Sequence, residues 1–264
     1  SRLKTKWVAH PLQFFDSIDS TNIRAKLEAE QGAESGLLVV SDMQSAGRGR
    51  RGRGWESPAG INIYYTLMLK PDFSSDCAPM LTLVMALAVA KGIRQTLRRD
   101  SEEAAAKVGI KWPNDIVVDG KKVCGILTEM SMEQGYIQHI VIGVGINVRK
   151  QEFPEEIRDR AAAIDEQCGF RISRSQLIAD IMEAFEEDYE IFLRTHDLKG
   201  LRASYAELLV NQDREVCVLD PKGEYRGIAR GINDQGELLV ERQDGTVEEV
   251  YAGEVSVRGI YGYV

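Results

Sequence analysis

The chain has 264 residues, long enough for one sizeable core plus a small second domain, and its 44% apolar and 28% charged residues are those of an ordinary soluble globular protein. Lys+Arg number 33 against 41 Asp+Glu, and a net charge of −8 argues against the broad basic face that nucleic-acid binding needs. Cys77, Cys124, Cys168 and Cys217 show no C-x-x-C spacing and His10, His139 and His196 lie far apart, which excludes an evident zinc site or disulfide framework and points to a reducing, cytoplasmic compartment.

The opening Ser1-Arg2-Leu3-Lys4-Thr5-Lys6-Trp7 lacks the apolar region of a signal peptide. His10–Ser17 mixes apolar and polar residues as an edge strand does. Ser20-Thr21-Asn22 then supplies a helix N-cap before Ile23–Glu30, with Gly32 as the stop. The same triplet could equally face a ligand. Leu37–Val40 predicts a buried strand, and Ile61–Leu69 predicts another.

Between those strands runs Gln44-Ser45-Ala46-Gly47-Arg48-Gly49-Arg50-Arg51-Gly52-Arg53-Gly54-Trp55, with four arginines and four glycines in residues 47–54. Arginine stays charged at any working pH and offers forked donors to phosphate or carboxylate, while glycine lets the main chain approach a ligand. Gly47–Gly52 fits G-x-G-x-x-G, but a dinucleotide fingerprint must open a helix directly, and here Glu56-Ser57-Pro58-Ala59-Gly60 leads into a β-like run. A grip on nucleic acid fits poorly with the acidic total. The preferred reading is a loop that is mobile until it closes over a small phosphorylated ligand.

Pro79 begins a predicted helix that runs to about Arg99, apolar around much of its circumference and therefore a core helix; its apolar stretch Ala78–Ala90 falls short of the ~20 residues that span a bilayer. Lys107 to Asn147 is rich in β pattern. Lys111-Trp112-Pro113-Asn114-Asp115 closes one strand, because proline cannot donate to a central ladder. Ile116–Val118, Asp119-Gly120 and Lys122–Met130 predict a hairpin around a two-residue primed turn. In that register Val118 faces Lys121, Val117 faces Lys122 and Asp115 faces Cys124, so Asp115, Val117, Lys122 and Cys124 share one face. A lysine among apolar neighbours and beside a carboxylate is a candidate functional group, whereas a solvent role suits Lys121. Ile137–Ile142 predicts a further strand that ends in Gly143-Val144-Gly145-Ile146-Asn147, where two glycines either relieve packing or admit a flat ligand.

Glu152–Ile157 is a polar link, Ser173 caps a helix to about Arg194, and Lys199–Leu209 reads as a shorter amphipathic helix. From Gln212 onward, Glu215–Leu219, Tyr225–Ile232, Leu238–Arg242, Val247–Tyr251 and Val255–Val257 are short runs separated by turn signals, the spacing of a small five-stranded barrel. The expected division is residues 1–209 and 212–264.

Taken in order, Ser20-Thr21-Asn22, Gln44 with Gly47–Arg53 and Trp55, Lys111–Asp115, Lys122 with Gly125-Ile126-Leu127, and Gly143–Asn147 resemble a bacterial biotin protein ligase in sequence and spacing over roughly residues 10–150. The resemblance implies an α+β fold, a mixed β-sheet flanked by helices akin to class II aminoacyl-tRNA synthetases, followed by an SH3-like β-barrel. It also implies a two-step reaction in which biotin and MgATP give biotinyl-5'-adenylate, and a lysine of a carboxylase's biotin carboxyl carrier protein domain then attacks it. Bringing two anions together needs neutralising cations; Lys122 is the choice for that place, with Arg48 and Arg50 adding charge and Asp115 as a further catalytic group. The biotin site implied comprises Ser20, Thr21, Asn22, Gln44, Gly47, Arg48, Gly49, Arg50, Lys122, Gly125, Gly143 and Gly145. The nucleotide site comprises Arg50, Trp55, Lys111, Asn114, Asp115 and Arg258, with Asp115 also the magnesium candidate and Trp55 an apolar lid. The roles of Arg51 and Arg53 stay open.

One alternative is a lipoate-protein ligase, which shares the chemistry but does not call for the arginine-rich loop. Another is a fragment of a DNA-binding repressor, since some members carry an N-terminal helix-turn-helix and bind an operator as dimers. The sequence given holds no helix-turn-helix, so no operator or membrane binding is expected of it, and a homodimer is left open.

Overall fold

A computed structural model describes residues 3–220, 223–252 and 256–259. The chain opens with β1 (Leu12–Phe15), α1 (Thr21–Glu30), β2 (Leu38–Ser41) and β3 (Ile63–Leu69). After them come α2 (Met80–Arg98), α3 (Glu102–Ala106), β4 (Val108–Lys111), β5 (Asp115–Val118), β6 (Lys121–Glu133) and β7 (Tyr136–Ile146). These seven strands form one sheet in the order β1-β2-β3-β7-β6-β5-β4, parallel between β1 and β2 and antiparallel elsewhere. The expected mixed sheet is therefore present, and β1 is its edge strand.

Side chains alternate along a strand, so each strand feeds two layers. One face carries Tyr65, Leu67, Ile142, Val144, Ile116 and Cys124 into the main core beneath α2. α2 is apolar enough by composition alone to cross a membrane, yet it is largely buried here, between the sheet and α5 (Arg174–Phe192). Gly92 lets the two helices approach, since a Cβ there would meet Ile181. On the opposite face, Ala25 and Ala29 of α1 cover Leu37, Val39, Met68 and Val141. The small alanines bring α1 close to the sheet and aim its N-terminus at the strand ends of β6 and β7.

Two short helices carry no signal in the sequence: α3 and α4 (Ile164–Cys168) are five residues each, too short for a 3.6-residue periodicity to register. Ser173 caps α5 as expected, accepting from the Gln176 N–H. The helix expected over Lys199–Leu209 contracts to α6 (Arg202–Ala206), because Leu208 and Leu209 leave it to pair with β4: the Ile110 N–H donates to the Leu208 carbonyl and the Val210 N–H to the Ile110 carbonyl.

The β5–β6 hairpin differs from its expected register. Val118 faces Lys121 and Val117 faces Lys122, but a bulge at Val123 then sets Ile116 opposite Cys124 and Asp115 opposite Gly125. The cause is competition for the backbone of Lys122, whose N–H donates to the Arg160 carbonyl while its own carbonyl accepts from the Ala162 N–H. One residue is displaced from the ladder. Cys124 consequently turns into the core with Ile116, while Asp115, Val117 and Lys122 keep the face expected of them.

The C-terminal part is a five-stranded antiparallel sheet of β8 (Glu215–Asp220), β9 (Gly223–Ile232), β10 (Leu238–Glu241), β11 (Val247–Val250) and β12 (Ser256–Gly259), in the order β11-β10-β9-β8-β12. It joins the first sheet through the buried Trp112, whose indole N–H donates to the Gly236 carbonyl and whose backbone N–H donates to Asn211 Oδ1.

Candidate active site

The α1 face of the sheet loses its side chains at one place. Gly125 sits opposite Gly145, and Gly143 opposite Leu127, so three glycines of β6 and β7 present bare backbone there. α1 points its N-terminus at this floor, the arginine loop roofs it, and a cavity of about 310 Å³ lies between them.

The loop is more structured than a free tether. Gly49 N–H donates to the Arg53 carbonyl, Trp55 N–H donates to the Gly47 carbonyl, and Arg50–Gly52 make a single 3-10 turn. No helix follows, which disposes of the dinucleotide fingerprint. Gly47 is glycine because a Cβ there would strike the Trp55 carbonyl oxygen. Arg50 fastens the loop, donating to Asn114 Oδ1 at 2.8 Å and to the Ala252 carbonyl at 2.7 Å. Burial depresses its guanidinium pKa below the ordinary value, against the opposing pull of Asp115. Trp55 lies flat on the glycine floor: a Cβ on Gly125 would stand 2.9 Å from its ring, and one on Gly145 would overlap the indole. These glycines therefore admit a flat group, which here is the protein's own indole.

Lys122 Nζ lies 2.6 Å from Asp115 Oδ1 and 5.6 Å from the centre of the Trp55 ring. It points into the cavity that Arg48 and Gly143 also border, so ammonium, guanidinium cluster and glycine floor meet in one place. Asp115 is the one carboxylate lining that cavity among the described residues.

The Ser20-Thr21-Asn22 triplet opens α1, but Ser20 makes no side-chain cap bond. Instead the Thr21 N–H donates to Gln44 Oε1 at 2.8 Å, and the Thr21 hydroxyl lies 3.0 Å from the same oxygen. Gln44 Nε2 donates to Ser57 Oγ, which donates to the Trp55 carbonyl. Gln44 thus caps this helix end in place of Ser20, and all three residues of the triplet border the cavity.

Most of the expected site residues line the cavity together: Ser20, Thr21, Asn22 and Gln44 at one end, Lys122, Asn114 and Asp115 at the other, with Arg48, Gly49, Arg50 and Trp55 above and Gly125, Gly143 and Gly145 below. Arg51 and Arg53 line it as well. Two expected members do not: Gly47 packs against the Trp55 backbone, and Lys111 is 6% exposed on β4 opposite Asp115, outside the lining. Arg258 sits on β12 opposite Cys217, and its side chain lies outside the described residues. Reading the sequence missed Asn147, Ile157 and Arg160, which also border the cavity. Asn147 closes the glycine motif and was within reach; Ile157 ends the stretch that reads as a polar link, and Arg160 lies just beyond it with no signal of its own. Glu129 and Thr66, which hold Asn22 from behind, and Lys26, which pairs with Glu129, carried no motif signal.

Comparison with known proteins bears on this site. The biotin/lipoate A/B protein ligase family matches residues 14–147, and the biotin protein ligase C-terminal domain matches residues 213–258. The bifunctional ligase/repressor BirA of Bacillus spizizenii is 37% identical over 259 residues, 97% of this chain and 76% of the relative. A biotin–[acetyl-CoA-carboxylase] ligase of Paracoccus denitrificans is 30% identical, covering 89% of this chain and 98% of that protein. The structure of an Aquifex aeolicus biotin protein ligase in complex with biotin and ATP superposes with a TM-score of 0.78 at 29% identity, covering 94% of this chain and 98% of that one. With its mixed seven-stranded sheet, its glycine-floored cavity and these matches, the chain belongs to the biotin/lipoate A/B protein ligase family and carries a biotin protein ligase C-terminal domain.

Proposed function

We propose that the protein is an ATP-dependent biotin ligase, which joins biotin and ATP into biotinyl-5'-adenylate and then passes the biotinyl group to a lysine of a biotin carboxyl carrier protein domain. The observation that carries this reading is the convergence of Lys122 and the guanidinium loop on one glycine-floored cavity. The Aquifex aeolicus relative bound to biotin and ATP and the relatives named as biotin ligases support it.

In the first step a biotin carboxylate oxygen attacks the α-phosphorus, and the phosphoanhydride bond breaks with its electron pair leaving on pyrophosphate. Two anions approach, so the barrier is electrostatic. Lys122, held in place by Asp115, neutralises the carboxylate and α-phosphate, and Arg48 and Arg50 supply further charge. In the second step the acceptor amine attacks the mixed-anhydride carbonyl and AMP leaves; Asp115 orients that amine and accepts its proton. Ser20, Thr21, Asn22 and Gln44 meet the ureido end of biotin, and Asn114, Trp55 and Arg258 serve the nucleotide. The loop shields the anhydride from water.

Magnesium fits this donor set in one way. No group of three His, Cys, Asp or Glu able to hold a metal occurs among the described residues, and a magnesium ion usually takes one or two carboxylates plus substrate phosphates. Asp115 would be its protein oxygen, and the ion would offset phosphate charge. Residues 1–209 form the ligase unit and 212–264 the barrel in this reading, a division supported by the two separate sheets and the two family matches. ATP supply and four free cysteines suit the cytoplasm.

The test is incubation with biotin and ATP, measuring pyrophosphate release and the mass of retained biotinyl-adenylate, with lipoate as competitor. Release with biotin and no competition by lipoate is expected. Release driven by lipoate and not by biotin overturns the reading.

A further inference from the structure

Behind the cavity, three residues that do not line it, Glu129, Lys26 and Thr66, join Asn22 in a directed chain of hydrogen bonds. Glu129 sits on β6 opposite Val141 and beneath α1; its Oε1 accepts from Lys26 Nζ at 2.7 Å and its Oε2 from Asn22 Nδ2 at 2.7 Å. Asn22 Oδ1 lies 2.6 Å from Thr66 Oγ1, which lies 2.8 Å from Thr21 Oγ1. Asn22 is 5% exposed and Thr66 is fully buried, so neither amide nor hydroxyl can reverse by borrowing water.

The direction of this chain follows from chemistry at its two ends. An ionised carboxylate only accepts, so Glu129 must receive the Asn22 NH2 group, which turns Oδ1 away from it. Thr66 then donates to Asn22 Oδ1 and its oxygen is left to accept. At the far end the Thr21 backbone N–H, which only donates, turns Gln44 Oε1 toward α1. Acceptor oxygens are thereby gathered at the α1 end of the cavity, and Asn22 Oδ1 stands directly over Gly143, where a Cβ would overlap it. Lys26 compensates the charge that burial beneath α1 would otherwise disfavour, and the bonds from Lys26 and Asn22 outweigh burial and hold the Glu129 carboxyl below its usual range.

We propose that Glu129, balanced by Lys26, is a positioning residue that fixes the polarity of Asn22, so that the cavity meets its ligand with acceptor oxygens and selects a head group bearing N–H donors. The ureido ring of biotin has two such groups; the dithiolane of lipoate has none. This inference rests on the biotin reading above and names what in the chain discriminates between the two substrate classes of its family. A site built to accept from N–H groups leaves buried acceptors unpaired when the ligand cannot donate, and that is a strong basis for rejection.

The experiment measures biotin binding calorimetrically without ATP, and steady-state pyrophosphate release, in the wild type and in Glu129→Gln, Asn22→Asp and the double variant. Glu129→Gln lets the Asn22 amide turn over and is expected to weaken biotin about 10- to 100-fold, the cost of setting a buried donor against a ligand N–H so that neither is paired. The loss falls on KM for biotin, while kcat at saturating biotin and KM for ATP stay near wild type. Asn22→Asp alone sets two carboxylates together and weakens biotin as well. In the double variant the amide introduced on β6 donates to one oxygen of the carboxylate introduced on α1, and the other oxygen of that carboxylate faces the cavity, so most of the lost affinity returns. Unchanged biotin affinity in Glu129→Gln, equal losses for biotin and ATP, or a double variant no better than Glu129→Gln overturns the proposal. A wild type that binds no biotin overturns the functional reading itself, a result distinguishable from any of these.

Discussion

Lys122→Met removes the ammonium while keeping a side chain of similar length and apolar stem, so it isolates charge from packing. The ammonium stands 2.6 Å from Asp115 Oδ1 in a side chain that is 26% exposed. A ligand oxyanion bound about 4 Å from it at an effective dielectric near 20 gains roughly 4 kcal/mol. Arg48 and Arg50 border the same cavity and retain part of that neutralisation. Removing one donor aimed at developing charge typically costs about 10²- to 10³-fold in rate, or ~2.7–4 kcal/mol. The upper part of that range is expected, because Asp115 then meets the incoming anions with no ammonium between them. The assay is single-turnover pyrophosphate release at saturating biotin and ATP, paired with transfer from chemically prepared biotinyl-adenylate, which bypasses the first step. A large loss in adenylate formation with a smaller loss in transfer is expected. Wild-type pyrophosphate release in Lys122→Met would remove Lys122 from the mechanism and refute the electrostatic argument.

Three other perturbations separate the roles of loop, floor and core. Arg48→Ala takes a cation from the cavity roof, and Arg50→Ala also cuts the bonds to Asn114 and Ala252; both should let biotinyl-adenylate escape and label lysines indiscriminately, Arg50→Ala the more, and tight retention in either variant means that the loop is not a lid. Gly143→Ala forces a methyl into Asn22 Oδ1, so biotin binding should fall at least about tenfold and the melting temperature should drop by at least about 2–4 °C, because the buried bonds of Asn22 to Glu129 and Thr66 must give way; titration calorimetry and a thermal melt check both halves. At the α2–α5 seam, burial tends to raise the Asp180 carboxyl pKa, but bonds from Arg99, Thr96 and Gln176 outweigh it and hold it below the usual value. A depressed folded pKa gives stability that is complete above the unfolded pKa of about 3.9 and lost as pH falls through the folded one. Asp180→Asn should therefore be less stable at neutral pH and flatter in acid denaturation below about pH 4, as followed by circular dichroism; an unchanged acid limb contradicts the assignment.

Much of the fold was legible because its signals are local. α2, apolar around much of its circumference, reads as a core helix, the Asp119-Gly120 turn sets up β5 and β6, and five short runs after Gln212 make a small antiparallel sheet. Local signals also failed locally. Whether Val123 bulges depends on residues 160–162 competing for the Lys122 backbone, and nothing within the hairpin announces a partner so far along the chain. Cys124 left its expected face for that reason alone. The shortened α6 has the same origin, a backbone pairing with β4 that helical propensity does not encode.

For the site, the amino-acid order alone determined chemical supply: fixed cations on a glycine-rich loop, a lysine beside a carboxylate, and bare glycines at a strand end. Residue type dictates charge, reach and backbone freedom wherever the residue sits, so these properties needed no coordinates. Tertiary structure decided which of them meet. It seated Trp55 on Gly125 and Gly145, tied Arg50 to Asn114 and Ala252, left Lys111 outside the cavity, and placed Glu129 behind Asn22 across 107 residues of chain. Hydrogen-bond direction and electrostatic neutralisation act over a few ångströms, and only packing the sheet against α1 brings such distant groups within that range.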